Sequence, residues 1–491
     1  MSDPGTVARS QADPSPAAEH RRFIASLGIV AALGLWIPQL TSSLWADETV
    51  THWIIRGSLH QTVARAARFE GESPLYFILV NGWRHLAGTS ELAMRIPSLL
   101  AITGAAVLVW RIGRRLVDDE AGILAALIFI ASPGITFAAG DARPYPVAIF
   151  MVVAATLILL RWSKRPSPRD ALAYVIVSTL ALYFHYFSAL ALAAHPLYIW
   201  ISGRRTLLHK YALMLGGVIV LMIPAVPHIV SLVHRRHSLQ VAIGVNVTDY
   251  FAVIVPPLLI GSIALGAVAA RAWGSRDVQI RRLDEGAAAL AIAWWIVPPT
   301  ALYLITRTSS TTLFEPRFFF FAIPGLALVV GSAVGAVGSS RARSVIAVAI
   351  AIGAFWGFSS KTHSGDKWRE AAARERSVAN AATVVLFRPN FIESAQIDWL
   401  RQPDKRPYLL SETSPYPMTG RIVLIPYALT PAAQRYLDPV VEQVRTVARF
   451  ILVNDRGGFR PWLEGRLPGF SAREFDDGGL VSVVVFQRKS G

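Results

Sequence analysis

The 491-residue chain contains no cysteine, which excludes disulfide bonds, thiolate nucleophiles and cysteine-ligated metal centres. Charge is also scarce, because Asp, Glu, Lys and Arg make up 16% of the residues, against about 25% in soluble proteins. The sequence has no glycine-rich phosphate loop, no dinucleotide-binding fingerprint and no HExxH motif. These absences argue against a soluble, nucleotide-dependent enzyme and against a zinc peptidase.

Apolar residues are abundant instead, at 53% of the chain, and the mean hydropathy is +0.43. Most of the protein is therefore expected to lie in lipid. Apolar runs of about 17 to 25 residues are long enough for membrane-spanning helices. Eleven such runs are predicted, at 23–41, 92–112, 120–139, 144–161, 170–185, 187–202, 211–232, 249–270, 286–306, 316–337 and 343–359.

The net charge of +16 raises the question of a nucleic-acid partner, but the basic residues collect in short loops between apolar runs. Such clustering fixes the orientation of membrane proteins, because cytoplasmic loops are enriched in Lys and Arg. A cytoplasmic N-terminus places on the cytoplasmic side Arg111, Arg114, Arg115, Arg161, Lys164, Arg165, Arg169, Arg204, Arg205, Lys210, Arg271, Arg276, Arg281, Arg282, Arg341 and Arg343. The sequence therefore predicts a multi-pass protein of the cytoplasmic (inner) membrane with an extracytoplasmic C-terminal part, and no nucleic-acid partner.

The predicted organisation has three parts. Residues 1–20, rich in Ala, Ser, Pro and acids, form a disordered cytoplasmic tail, and residues 21–360 form an all-α membrane domain whose first outer loop is 44–91. Residues 361–491 form a small α/β domain, with strands near 378–387, 421–427, 448–454 and 480–487 and helices at 366–379 and 431–443.

Two adjacent acids, Asp47 and Glu48, follow the first apolar run and so lie at the membrane surface, where an idle charge is costly. Asp47 could instead cap the helix that follows. Glu48, His52, Arg56 and His60 recur every four residues, which predicts one stripe on a surface helix. That stripe lines a cavity or is simply the solvated face of an interfacial helix.

More polar residues come together in the outer loops, because loops on one side of the membrane share a face. Arg143 and Arg317 each stand beside a proline that opens a span, and a guanidinium at the surface can grip a phosphate. Arg143 could equally neutralise Asp141. The candidate substrate-binding residues are Arg56, Tyr76, Asp141, Arg143, Tyr145, His185, Glu315 and Arg317.

Several short motifs occur in a fixed order along these loops. W-x-D-E closes the first span, S-P-L-Y occupies 73–76 and GTSELAMRIP occupies 88–97; A-R-P-Y at 142–145, H-Y at 185–186, P-R at 316–317 and W-R-E-A at 368–371 follow. Over most of residues 20–375 the chain resembles the polytopic membrane glycosyltransferases of the GT-C fold. The resemblance is to the protein O-mannosyltransferase and aminoarabinose transferase superfamily, which includes lipopolysaccharide-core transferases of the bacterial cell envelope.

The resemblance implies a sugar donor on polyprenyl phosphate and an envelope glycan, lipid or protein as acceptor, with inversion at the anomeric carbon. It implies that Asp47, with Glu48 beside it, supplies the catalytic carboxylate. A carboxylate can take the proton of an acceptor hydroxyl as it attacks. A cation, for which Arg143, Arg317 and Arg56 are candidates, can stabilise the departing lipid phosphate.

The chain departs from the family at Ser73, where many relatives have proline, and at Phe318, where many have tyrosine. Some relatives bind a divalent metal, and His52 and His60, together with His185 and the acids, are the candidate ligands; interfacial histidines are otherwise ordinary hydrogen-bonding residues. No other cofactor is expected. The alternatives to this function are a GT-C enzyme with a lipid-linked pentose or uronic acid donor, a transporter or flippase of lipid-linked saccharides, and a non-catalytic scaffold.

Overall fold

The structure, a computed structural model, describes residues 16–235, 245–272, 284–309, 313–358, 365–475 and 479–489. Three parts of the prediction lie outside these ranges: most of the tail, the start of the C-terminal domain at 361, and the loop arginines Arg276, Arg281 and Arg282.

Helices fill the N-terminal part of the chain. Their bounds are α1 Pro16–Trp36, α2 Ala46–Ile55, α3 Leu59–Phe69, α4 Leu75–Ala87, α5 Glu91–Leu116, α6 Asp119–Ala131, α7 Pro133–Ala139, α8 Tyr145–Lys164, α9 Pro168–Phe184, α10 Ser188–Leu192, α11 Ala194–Ile201, α12 Leu208–Met222, α13 Val226–Arg235, α14 Val247–Ile254, α15 Pro257–Ala272, α16 Glu285–Thr308, α17 Ile323–Gly335 and α18 Ser340–Gly357. A 3-10 segment, Pro316–Ala322, precedes α17. Five of the long helices begin at a side chain that accepts the backbone N–H three residues on, namely at Ser90, Asp118, Ser167, Asp284 and Ser339.

The chain is a multi-pass membrane protein. In the described residues, six helices are long and apolar enough to cross a membrane, or eight if each of two bent pairs is one span. Each of the eleven predicted runs is largely helical, but the runs 170–185, 187–202 and 343–359 do not meet this test of length and hydropathy. The run 187–202 is broken between α10 and α11, and α9 has only 17 residues.

Small residues let the helices of this domain approach closely. A Cβ atom on Gly113 of α5 would lie 2.7 Å from the Cα of Gly122 in α6, and one on Gly331 of α17 would lie 2.5 Å from the backbone N of Ala125. Small residues at such crossings give close packing between helices in lipid, where the hydrophobic effect does not drive helix association. Helices α5, α6 and α17 therefore form a tight core beneath the loops that carry the candidate site.

The C-terminal part is a small α/β domain, as predicted. Its helices are α19 Trp368–Val378, α20 Ile397–Arg401, α21 Arg406–Leu409, α22 Pro431–Arg445 and α23 Phe459–Arg466. Its strands are β1 Val384–Phe387, β2 Arg421–Leu424, β3 Arg449–Val453, β4 Phe470–Phe475 and β5 Val483–Arg488. The sheet order is β2-β1-β3-β5-β4; β1 pairs in parallel with β2 and β3, while β5 is antiparallel to β3 and β4.

The α/β domain is attached to the loop that precedes α2 and to α2 itself. The Tyr416 hydroxyl accepts the backbone N–H of Leu44 at 2.8 Å and donates to Glu91 at 3.0 Å. Ser414 Oγ lies 3.0 Å from His52 Nδ1, and the Ser414 carbonyl accepts from Arg56 at 3.1 Å. These bonds hold both ends of the segment that contains Asp47.

Candidate active site

Asp47 lies in the first turn of α2, where it does not cap the helix. The N-cap position is Trp45, and the side chain that returns to its backbone N–H is that of Glu48, at 3.2 Å. Asp47 instead turns toward Arg317, whose Nη1 lies 2.5 Å from its Oδ2. The Asp47 and Arg317 side chains are 25% and 29% exposed, so this pair is at the accessible edge of the site.

Glu48 points the opposite way and is completely buried. Its Oε1 accepts from Arg95 Nε and from the backbone N–H of Ala142, each at 2.8 Å, and its Oε2 pairs with Arg95 Nη2. Arg95 also donates to the carbonyls of Gln39, Leu40, Ser42 and Ser43 in the loop after α1. Glu48 and Arg95 therefore form a buried ion pair that holds this loop in its conformation. That placement is unsuited to the catalytic role expected of Glu48.

Arg143 is also held by carboxylates. It makes a two-pronged ion pair with Glu70, at 3.1 and 2.8 Å, and lies 3.6 Å from Glu72. Its Nη1 donates to the Asp47 carbonyl at 3.3 Å. Burial by itself lowers the pKa of Arg143, but Glu70, Glu72 and Asp47 outweigh burial and raise that pKa well above its ordinary value. Arg143 is thus a buried cation that positions α2, rather than a free phosphate ligand.

Glu72 belongs to the same buried cluster. Burial raises its pKa to about 7; Arg143 opposes the rise and Glu70 adds to it. Weaker contributions come from the charges of Arg317 and Asp47, which places Glu72 within electrostatic reach of the exposed pair. His185, which follows α9, has its Nε2 3.6 Å from Glu72 Oε1.

The predicted aromatic and acidic residues surround this cluster. Tyr145 packs against His185 with ring centroids 4.9 Å apart, and Tyr76 is fully buried in α4. Asp141 accepts from the indole of Trp45 at 3.1 Å and so steadies the start of α2. Glu315 precedes Arg317, and burial raises its pKa. Tyr76, Asp141, Tyr145, His185 and Glu315 therefore lie around the Asp47 cluster, as expected from their loops.

The predicted stripe is wrong beyond His52, because the helix is not continuous. α2 ends at Ile55, and Ser58 starts α3 with a capping box in which Ser58 and Gln61 exchange hydrogen bonds. Arg56 lines a separate cleft of about 470 Å³ between α2, α3 and residues 407–414.

The proposed metal site at His52 and His60 does not fit the geometry. His52 binds Ser414, and burial lowers its pKa to about 4, whereas His60 is exposed on α3. Among the residues that the structure describes, no three His, Cys, Asp or Glu side chains form a metal-binding group.

Three residues of the cluster were not among the predicted site residues. Glu70 and Glu72 belong to the same outer loop as Asp47. Their spacing in the sequence does not indicate a site; it indicates only that they lie on the same side of the membrane as Asp47. Arg95 lies inside the 88–97 motif and in an apolar helix, where a charged residue is a functional or structural marker. That rule was the one available signal for Arg95.

An apolar cavity of about 330 Å³ is lined in part by Pro316, the residue before Arg317. It is formed where α6 bends into α7 by 70° and α14 into α15 by 48°, and by the segment that carries Arg317. Its walls include Pro133, Gly134, Pro256, Trp295, Pro316, Phe319 and Phe320. The segment that supplies Arg317 to the ion pair thus also supplies wall residues to an apolar space between helices.

A family model described as dolichyl-phosphate-mannose-protein mannosyltransferase matches residues 71–230. The crystal structure of ArnT from Cupriavidus metallidurans in the apo state is similar over 96% of this chain and 98% of that chain, with 14% identity and a TM-score of 0.57. The chain has the GT-C fold. The resemblance predicted from the sequence is confirmed for the fold.

A second ArnT structure from the same organism, bound to undecaprenyl phosphate, matches the GT-C chain with 13% identity and a TM-score of 0.57, over 94% of this chain and 97% of that chain. No curated protein matches the chain in sequence. In this GT-C chain the family match begins at Gly71 and includes Glu72, Asp141, Arg143 and His185.

Proposed function

We propose that the chain is a glycosyltransferase that moves a monosaccharide from a polyprenyl-phosphate carrier to an envelope glycan, lipid or protein. The observation that carries the proposal is the Asp47–Arg317 pair, a partly exposed carboxylate and guanidinium, whose arginine directly follows Pro316 in the wall of an apolar cavity. An amphiphilic donor needs a cation for its phosphate and apolar walls for its tail. The undecaprenyl phosphate bound to ArnT, a protein of the same fold, supports this choice of donor.

Arg317 and Asp47 exchange partners when the donor binds. The guanidinium of Arg317 binds the lipid phosphate through paired hydrogen bonds. The Asp47 carboxylate, released from Arg317, then becomes available as a base. Arg143 keeps its pairing with Glu70 and holds the Asp47 backbone in place. Arg317 is therefore the phosphate ligand, and Arg143 is the support.

The chemistry is a direct displacement. The acceptor hydroxyl oxygen forms a bond to the anomeric carbon, the bond from that carbon to the phosphate oxygen breaks, and the hydroxyl proton passes to Asp47. The polyprenyl phosphate leaves with an additional negative charge that Arg317 stabilises. Attack opposite the leaving group inverts the anomeric centre. No step requires a metal.

The site and the α/β domain are proposed to lie on the extracytoplasmic side of the cytoplasmic membrane. The supporting observation is the bias of basic residues in the alternate loops. Residues 21–360 form the catalytic membrane domain, and residues 361–491 approach α2 from outside. Reporter fusions at Gly203 and Gly365 should report opposite sides; the same side for both would contradict this topology.

Transfer is tested with purified protein and synthetic polyprenyl-phosphate hexoses, pentoses and uronic acids. The wild type is expected to transfer at least one sugar, and Asp47→Asn to transfer none at a comparable rate. Asp438→Asn, on the exposed face of α22, is the matched control and should retain full activity. Full transfer by Asp47→Asn would remove Asp47 from the mechanism.

A transporter of lipid-linked saccharides is the second candidate, because bent helices such as the α6/α7 and α14/α15 pairs often form transport sites. The same bends line the apolar cavity, so a bound lipid tail accounts for them as well. Translocation of lipid-linked sugar across proteoliposomes, without transfer from any donor, would favour the transporter.

A further inference from the structure

Glu72 and His185 form a buried polar pair next to the proposed site. Glu72 lies in the connection between α3 and α4, and His185 lies in the connection after α9. Their side chains approach to 3.6 Å, between Oε1 and Nε2, and the two residues are 6% and 4% exposed. The proposed transfer uses neither of them as acid, base or phosphate ligand.

One hydrogen bond to His185 determines which ring nitrogen carries the proton. Its Nδ1 accepts the backbone N–H of Phe187 at 3.2 Å, so Nδ1 carries no proton and the neutral ring has its N–H at Nε2. Within the described residues, neither this Nε2 nor Glu72 Oε2 has a hydrogen-bond partner, although Arg143 Nη2 lies 3.6 Å from Oε2 as an ion-pair partner. Buried polar groups are nearly always hydrogen-bonded, and an unpaired one is costly, so the pair is prepared for a ligand.

Aromatic rings surround the pair. The ring centroids of Tyr145, Phe321, Phe187 and Phe318 lie 4.9, 5.0, 5.4 and 5.9 Å from that of His185. Binding sites for small molecules combine such apolar walls with a few convergent polar groups. Phe318 directly follows Arg317 in the chain, so these walls connect to the proposed phosphate ligand.

We propose that Glu72 and His185 recognise one hydroxyl group of the donor sugar, an inference that rests on the proposed function. The hydroxyl donates to the Glu72 carboxylate and accepts from His185 Nε2–H. A phosphate oxygen only accepts, so it would leave the acceptor oxygens of Glu72 without a donor. The pair therefore distinguishes a sugar that carries a hydroxyl at the recognised carbon from the corresponding deoxy sugar.

Binding is measured on Asp47→Asn, which holds the donor without consuming it. The probes are polyprenyl phosphate alone, polyprenyl-phosphate mannose, galactose, glucose and arabinose, and the monodeoxy forms of the tightest binder. Loss of the recognised hydroxyl should raise Kd about ten- to a hundredfold, as expected for a hydrogen bond to a charged group. Equal affinity for all these sugars and for bare polyprenyl phosphate would overturn the inference.

Variants then separate recognition from a structural role. Adding Glu72→Met or His185→Phe should abolish discrimination between the parent sugar and its critical deoxy form, whereas a structural role would weaken both equally. His60→Phe, an exposed histidine on α3, is the matched control and should keep the discrimination. If neither variant folds, the donor series on Asp47→Asn still decides the inference. Tight, hydroxyl-dependent binding without transfer by the wild type would refute the proposed function and leave this inference standing.

Discussion

Replacing Glu48 by glutamine should destabilise the fold far more than replacing its neighbour Asp47 by asparagine. Both changes remove one negative charge and keep the side-chain shape. The Glu48 carboxylate accepts two hydrogen bonds from Arg95 and one each from the backbone N–H groups of Ala142 and Trp45. The side chains of Glu48 and Arg95 are both 0% exposed. A glutamine NH₂ group would face donors and leave the Arg95 cation without its counter-charge.

The magnitudes follow from burial. Breaking a buried ion pair on one side costs about 3–5 kcal/mol, because the other charge stays buried and unpaired. The Asp47–Arg317 pair is one-quarter or more exposed, so its loss should cost about 1 kcal/mol or less. Some of the loss at Glu48 is recovered if the four loop carbonyls keep their bonds to Arg95.

The assay is thermal unfolding of the detergent-solubilised protein, followed by circular dichroism and checked by size-exclusion chromatography. Asp47→Asn should unfold close to the wild-type temperature yet lack transfer activity, and Glu48→Gln should unfold well below it or aggregate. A stable but inactive Glu48→Gln protein would refute the division of roles between these two neighbours. It would return Glu48 to the catalytic role expected from the sequence.

Three further outcomes are expected. Tyr416→Phe leaves the buried N–H of Leu44 without its acceptor, so it should lower the free energy of unfolding by about 1–3 kcal/mol. It should also slow sugar transfer without changing the donor Kd. Unchanged transfer would contradict a positioning role for the α/β domain. Burial raises the pKa of Glu72 from 4.5 to about 7, so its contribution to stability is complete below pH 4.5 and is lost as the pH rises to about 7. The unfolding temperature of Glu72→Gln should therefore fall less over that range than that of the wild type, and equal slopes would argue against the shift. Transfer by His60→Ala and by the EDTA-treated wild type should equal that of the untreated wild type, and loss of transfer in either would restore a metal to the site.

The sequence was sufficient to predict the membrane domain, the α/β domain and the face on which the polar residues meet. Long apolar runs and alternating strand and helix patterns carry that information directly. It also made Asp47 and Arg317 candidates, because Asp47 follows the first apolar run and Arg317 stands at the start of the run 316–337; their catalytic and phosphate-binding roles stay predictions. Their pairing, across 270 residues of sequence, depends on helix packing that periodicity does not encode.

The choice between Asp47 and Glu48 was beyond the sequence. Adjacent residues on a helix point about 100° apart, so Asp47 turns to the partly exposed Arg317 and Glu48 to the buried Arg95, and only the fold decides which carboxylate takes which partner. The stripe to His60 was wrong for a local reason that the sequence does contain. Ser58 and Gln61 form a capping box that starts a new helix. The four-residue spacing from Glu48 to His60 continues across this helix boundary and so gives no sign of it.

The most direct test of the account is a paired measurement on Asp47→Asn. Donor Kd and the single-turnover rate of sugar transfer are determined for the variant and the wild type with the same polyprenyl-phosphate sugar. The account predicts that the rate falls by about 10²–10⁴, the usual contribution of a general base, while the donor binds at least as tightly because Arg317 is released for the phosphate. A wild-type rate, or a lost rate explained entirely by weaker donor binding, would contradict Asp47 as the base.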